Sequence, residues 1–409
     1  MADRSFPSAI RHQMTMVNYR DITMSKSISK NLRLVLLLAG SLLVRPLPAE
    51  ISYSVAPYSD PQKNPALTAE DIRIFSQAIN RLANDRRLAN HPIRRYLNDP
   101  NLNAHITFNN PTVTELGVAA IISGNTGILT HSGRDLAFYL TMFGHEFIHI
   151  DMLEKYGHLE QHVFLPIEDF AFQDLMEEVF ANVLDQWIYL SYPEIPRKPD
   201  LRNWQRQNKI DDTPEAMYND FKELYPNLSN EQIISQVCGE MLNLFFIRST
   251  RYTSSVIPSN VHMSYRVYNS FLIPEYAAYR ERGDALLRHQ WNYLASMLPF
   301  SLPENYTYDY FRGRFKDDLT RWHNGGPHSL YARVNFPYEE NARAELAAQK
   351  PEERRYDYLS REDEARLNRI FQEIDPSFKP VNTARTSLQR ILQEVRQEEE
   401  AKKQAAAQR

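Results

Sequence analysis

The five residues HEFIH at positions 145–149 constrain this chain more than any other feature. If the segment is helical, His145 and His149 lie one turn apart on the same face, so both imidazole rings can reach one ion at the ~2.0–2.1 Å of zinc–nitrogen bonds. Glu146 lies about 100° further round, where its carboxylate can take a proton from a water molecule beside the ion. The pattern therefore predicts a Zn²⁺ site with a general base next to it.

The surrounding sequence predicts the required helix. Apolar residues recur every three or four positions from 134 to 156, and Gly157 follows as a typical helix-terminating residue. Ser132, three residues before Asp135, offers an amino-terminal cap. The motif thus falls in the middle of a capped, amphipathic helix.

Two short strands are predicted before this helix, at residues 117–122 and 127–130. The Ser-Gly-Asn-Thr sequence between them is typical of a hairpin turn. The hairpin could supply an edge strand along which an extended peptide aligns through backbone hydrogen bonds.

A catalytic zinc ion needs a third protein ligand and an open coordination position. The extended motif with a third histidine is excluded, because Met152 and Lys155 occupy its glycine and histidine places. The third ligand is therefore expected to be a carboxylate from another part of the chain.

The segment MEEVFAN at residues 176–182 lies on a second predicted helix, and with it the sequence resembles the gluzincin group of zinc metallopeptidases, thermolysin-like enzymes among them. The chain also looks like bacterial envelope proteins catalogued only as candidate metallopeptidases. The resemblance implies that Glu178 completes a His-His-Glu ligand set. It also implies that the residue four positions later orients a histidine ligand; here that residue is Asn182, where the group usually has an aspartate.

Several neighbouring acids are alternatives for these roles. Glu177 is the nearest competitor for the ligand, but it lies about 100° from Glu178 on the helix, and helix geometry favours Glu178. Asp174 and Asp185 share the face of Glu178, and a solvated stripe is the expected interpretation for both. For stabilising a developing oxyanion, His262 and Tyr265 are the candidates.

Composition excludes other classes of function. The net charge of -4 argues against nucleic acid as a partner. A single cysteine, Cys238, rules out an intramolecular disulfide and a thiolate metal cluster, and a buried inert thiol is expected.

The amino terminus has the layout of a secretory signal peptide. After Met24, the predicted true start, come basic residues, an apolar stretch at 34–44, and small residues before a cleavage site after Ala49. The apolar stretch is too short to span a bilayer, so no stable membrane span is expected after cleavage. The predicted location is the periplasm or outside the cell.

The expected fold is α+β, mainly helical and zincin-like, with a small sheet or hairpin before the active-site helix and a helical carboxy-terminal accessory region. Proposed divisions are residues 1–49 for the signal region, 50–66 for a linker, 67–298 for the metallopeptidase domain, 299–380 for the accessory region and 381–409 for a charged tail. Further helices are predicted from a capping box at residue 68 and at 168–190, 230–247 and 361–374.

The sequence therefore predicts a zinc metallopeptidase that acts on a protein or peptide. Two alternatives stay open: a non-catalytic envelope protein that keeps the zincin fold as a binding scaffold, and a secreted effector protease with the same chemistry.

Overall fold

The computed structural model describes most of the chain between residues 52 and 382. The described residues are 52–55, 67–98, 104–110, 112–113, 120–123, 127–157, 164–192, 214–259, 273–324, 344, 347–348 and 359–382. All of them belong to one unit, Pro48–Arg409. The predicted signal region, and the predicted tail beyond its first two residues, lie outside the described residues.

The described structure contains one four-stranded sheet. Its strands are β1 (Ser52–Val55), β2 (His105–Phe108), β3 (Ala120–Ser123) and β4 (Gly127–Thr130). The order is β1-β2-β4-β3, with β1, β2 and β4 parallel and β3 antiparallel to β4. The predicted hairpin is confirmed, since Ala120 pairs with Thr130 and Ser123 with Gly127. In this order β3 is an edge strand.

Helices make up the rest of the described elements. The α-helices are α1 (Ala69–Asn84), α2 (Pro92–Asn98), α3 (Leu136–Tyr156), α4 (Ile167–Ser191), α5 (Pro214–Leu224), α6 (Asn230–Ser259), α7 (Ala277–Arg280), α8 (Gly283–Met297), α9 (Tyr308–Asn324) and α10 (Arg361–Ile374). Two short 3₁₀ helices span Arg86–Leu88 and Pro274–Tyr276. The coarse prediction of a mainly helical chain with a small sheet is confirmed. No helix of the described segments is both long and apolar enough to cross a membrane.

Local chemistry fixes where the helices begin and end. The predicted capping box of α1 is present, with Thr68 and Asp71 exchanging hydrogen bonds. The cap of α3 is Asp135, whose carboxylate accepts from the N–H of Phe138. The expected cap Ser132 instead bonds Asn109 after β2. Gly157 ends α3 at φ 83°, a conformation that favours glycine.

The Asn and Pro content of residues 90–111 is typical of a loop, but the interval contains two described elements. Pro92 begins α2, because a proline in the first helical turn loses no intrahelical hydrogen bond. In β2, Ile106 and Phe108 are buried and His105 is exposed. An alternation over four residues is too short to be recognised in a sequence.

Helices α3 and α4 pack together at the centre of one hydrophobic core. Gly144 permits their close approach, since a Cβ there would overlap the Cδ1 atom of Ile188 on α4. Cys238 on α6 is buried, as predicted.

The region predicted as accessory contributes to the same core. Phe311 on α9 lies 4.5 Å, centroid to centroid, from Phe246 on α6. Phe371 on α10 lies 5.2 Å from Tyr279 and 6.0 Å from Phe164 in the same measure. The hydrophobic core therefore continues across the boundary predicted at residues 298 and 299.

Candidate metal centre

The candidate site lies between α3 and α4. His145 contacts Asp185, and His149, one turn further along α3, contacts Glu177 earlier on α4. The two helices therefore run antiparallel here, and each histidine faces a different turn of α4. The histidine side chains are 17% and 14% exposed, whereas Glu178 is 50% exposed at the open side of the site.

Three side chains converge at one point. The Nε2 atoms of His145 and His149 lie 3.0 Å apart. Glu178 places Oε2 3.7 Å from the first of these atoms and Oε1 3.5 Å from the second. Ligand atoms at ~2.0–2.1 Å from a tetrahedral zinc ion lie about 3.3 Å apart, so the three groups fit one ion. Within the described residues, this is the set of His, Cys, Asp and Glu side chains that could hold a metal.

A carboxylate stands behind each histidine. The Nδ1–H of His149 donates to Oε1 of Glu177 over 2.6 Å, and that of His145 donates to Oδ2 of Asp185 over 3.2 Å. These hydrogen bonds hold the proton on Nδ1 and leave each Nε2 lone pair directed at the ion position.

Glu177 and Glu178 face different nitrogen atoms of the histidines. Glu178 faces both Nε2 atoms, as a ligand must, while Glu177 is occupied by Nδ1 of His149.

The orienting role given to Asn182 is wrong. Its amide nitrogen donates to the backbone carbonyl of Glu178 over 2.7 Å, and Asp185 is the group at His145. Asp185 was expected on a solvated stripe, but its side chain is only 21% exposed. The reason is the antiparallel packing of α3 and α4, because the residue of α4 that lies next to His145 is seven positions after Glu178, not four. The sequence signal for this role is that Asp185 shares a helix face with Glu178.

The surrounding carboxylates dominate the electrostatics of the histidines. Burial alone would lower the pKa of His145, but the charges of Asp185 and Glu178 outweigh burial and raise it to about 9. For His149, the charges of Glu178 and Glu177 likewise outweigh burial and raise the pKa to about 10. Because the two Nε2 atoms are 3.0 Å apart, they can share only one proton, and without an ion the pair holds this proton at neutral pH.

Glu146 is held inside the site. It is 7% exposed, and its electrostatic neighbours are both histidines and Glu178. Burial raises its pKa, although the two histidines oppose the shift. A raised carboxyl pKa suits a general base that must later return a proton.

A polar network supports α3 from its other face. The buried His91 donates from Nε2 to the backbone carbonyl of Gly144, next to His145, over 3.0 Å. Asp151, 1% exposed, pairs with Arg95 and accepts from the hydroxyl of Tyr293 over 2.6 Å. Sequence reasoning missed these residues, because nothing in the chain marks His91 or Tyr293 as a neighbour of α3.

The oxyanion candidates His262 and Tyr265 lie outside the described residues. Comparison with known proteins gives no match to a family model, to a curated protein or to a solved structure.

Proposed function

We propose that this chain is a zinc-dependent metallopeptidase of the zincin type, with His145, His149 and Glu178 as ligands and Glu146 as general base. The observation that carries the proposal is the convergence of three ligand atoms beside a buried carboxyl group. Two imidazole nitrogens and one carboxylate are a donor set typical of catalytic zinc.

A zinc ion at this point would supply Lewis acidity, polarising the scissile carbonyl and lowering the pKa of a nearby water. Glu146 takes the proton of the attacking water and delivers it to the leaving amine. Its position beside two histidines keeps the carboxyl close to the reacting atoms, and burial raises its pKa, which makes the carboxylate a stronger base for the first transfer. Glu177 and Asp185 hold the two rings in the ligating orientation.

The edge strand β3 supports a peptide as the substrate. It ends the sheet order and packs against α3, the helix that carries the histidines. An extended peptide can add to such an edge through backbone hydrogen bonds, which recognise the chain without requiring one sequence. With the predicted signal region, the substrate would be a protein or peptide of the envelope or the medium.

The test combines metal analysis with cleavage of a peptide library. Protein purified without chelators should contain about one zinc per chain. Glu146→Gln should keep this zinc and lose cleavage by at least ~100-fold, whereas Glu223→Gln, an exposed change on α5, should alter neither.

Two results would overturn the proposal. A zinc-free protein would favour the non-catalytic scaffold, and unimpaired cleavage by Glu146→Gln would remove the assigned base.

A further inference from the structure

We propose that a polar cavity on the face of α3 away from the metal centre binds the free carboxy-terminal end of a peptide. The polar residues of its wall come from the start of α2 and the turn before it, from α3 and from α8: Asn90, His91, Arg94, Arg95, Asp151 and Tyr293. None of them belongs to the candidate metal centre. The inference therefore goes beyond the proposed function and does not depend on it.

The cavity and the ion position lie on different sides of α3. Asp151 is two residues after His149, so the two side chains point about 200° apart around the helix. The volume of the cavity is about 590 Å³, within the ~300–1,000 Å³ range of pockets that hold small molecules. It is large enough for the end of a peptide chain.

The charge of the wall favours a singly charged anion. Arg94 and Arg95 supply two positive charges and Asp151 supplies one negative charge, while the buried His91 is neutral because its pKa is lowered to about 4. Glu154 also pairs with Arg95 but does not line the cavity. One positive charge of the wall thus stays unbalanced. A carboxylate matches it, whereas a phosphate, with a charge of about -1.5 to -2, exceeds it.

Arg95 has the hydrogen-bond donors that a carboxylate needs. Its Nη2 atom donates to both Asp151 and Glu154. Among the described residues, the N–H groups on its Nε and Nη1 atoms have no acceptor. The side chain is 42% exposed, so a ligand can reach these groups. A hydrogen bond between a guanidinium and a carboxylate is roughly twice as strong as one between neutral groups.

Asn90 supplies an acceptor at the same wall. Its amide nitrogen donates to the carbonyl of Ser296 over 3.2 Å, and in the described part of the chain its Oδ1 atom accepts no hydrogen bond. The side chain is exposed. A ligand that pairs a carboxylate with a nearby N–H group therefore fits the cavity. The end of a peptide has both groups, because its last peptide N–H lies beside the terminal carboxylate.

The experiment measures the binding of N-acetyl-alanyl-alanine, its carboxamide and inorganic phosphate by titration calorimetry. Zinc-loaded and chelator-treated protein are compared, because a carboxylate also binds zinc ions. The free acid should bind both forms of the protein. The carboxamide should bind about tenfold or more weakly, since it lacks the charge that the arginines recognise.

Substitutions locate the binding. Arg94→Gln and Arg95→Gln should each weaken binding of the free acid by about tenfold. Arg95→Lys keeps a positive charge beside Asp151 and should lose less affinity than Arg95→Gln. The control Arg73→Gln removes an exposed arginine of α1 and should bind the free acid as wild type does. If Arg95→Gln does not fold, Arg94→Gln decides, and unchanged affinity in that variant refutes the site.

Failure of the free acid to bind, or equal affinity for the acid and the carboxamide, would overturn the inference. Tighter binding of phosphate than of the peptide would do the same, because the ligand would then be a different anion. Binding that chelation abolishes and the arginine variants leave unchanged would place the peptide at the metal centre instead. A protein that contains no zinc but binds the free acid through Arg94 and Arg95 would refute the proposed function and support the peptide site.

Discussion

The Nε2 atoms of His145 and His149 lie 3.0 Å apart, and a carboxylate accepts the Nδ1–H on the far side of each ring. Two nitrogens at this separation need a proton or a cation between them, because their lone pairs would otherwise repel each other. The same arrangement that protonates the metal-free site therefore prepares it for a metal ion.

Metal affinity should rise with pH. The raised pKa values, about 9 for His145 and about 10 for His149, mean that the pair holds the proton between its Nε2 atoms through neutral pH and must release it to the ion. Affinity for Zn²⁺ should increase by up to ~10-fold per pH unit through neutrality, with about one proton released per ion. Titration calorimetry in buffers of different ionisation enthalpy counts the protons released. A pH-independent affinity would contradict the assigned ligands.

Removal of either orienting charge should weaken metal binding. Glu177→Gln and Asp185→Asn should each reduce Zn²⁺ affinity by about 10-fold or more, because the imidazoles become less basic and less firmly oriented. The effect should be larger for Glu177, whose hydrogen bond is 2.6 Å against 3.2 Å for Asp185. Competition with a chelating dye measures both.

Asn182→Ala provides the matched comparison, since among the described residues this side chain bonds the backbone of its own helix. It should leave Zn²⁺ affinity within about threefold of wild type. A loss equal to that of Asp185→Asn would restore Asn182 as the orienting residue.

The difference between Asn182 and Asp185 shows where sequence reasoning reaches its limit. Positions within one helix follow from its period, so α10 was predicted with its observed bounds, Arg361–Ile374, and His145 and His149 were placed on one face. Which residue of α4 meets His145 depends on how two helices pack. The packing of two helices is a tertiary contact, and it leaves no periodic pattern in the amino-acid sequence.

A second limit concerns short elements. The capping box of α6, formed by Ser229 and Gln232, was readable because capping residues occupy fixed spacings. The four-residue strands β1 and β2 have no comparable signature and are defined by their parallel pairing with each other. The two strands are therefore recognised from the structure and not from the sequence.

Arg312 should couple the carboxy-terminal region to the metal-binding helices. It lies on α9, 5% exposed, in an ion pair with Asp169 of α4 and 4.9 Å above the ring of Phe172. Arg312→Met leaves the carboxylate of Asp169 without this partner, which should cost about 3–5 kcal/mol in the free energy of unfolding.

The control is Arg288→Met, which breaks an exposed pair with Asp309 and should cost under about 1 kcal/mol. Urea unfolding, followed by both fluorescence and circular dichroism, measures each change. A single transition is expected, because α9 and α4 share one core. Separate transitions, with the one for α4 unaffected by Arg312→Met, would show that residues 299–380 fold as an independent domain.

His91 should make the fold sensitive to acid. Burial lowers its pKa to about 4, against 6.5 in the unfolded chain, although its hydrogen bond to Gly144 opposes part of the shift. Above pH 6.5 the ring is neutral in both states. As pH falls towards about 4, the unfolded chain takes up a proton that the folded chain excludes, so stability declines by about 3 kcal/mol over this window.

His91→Asn keeps an acceptor for the N–H of Ile93 but cannot titrate. It should therefore be less stable than wild type at pH 7.5, and its free energy of unfolding should approach that of wild type as the pH falls. Urea unfolding of the metal-free proteins at several pH values measures the difference, and a constant difference from neutral pH to pH 4.5 would show that His91 is not the acid-sensitive group.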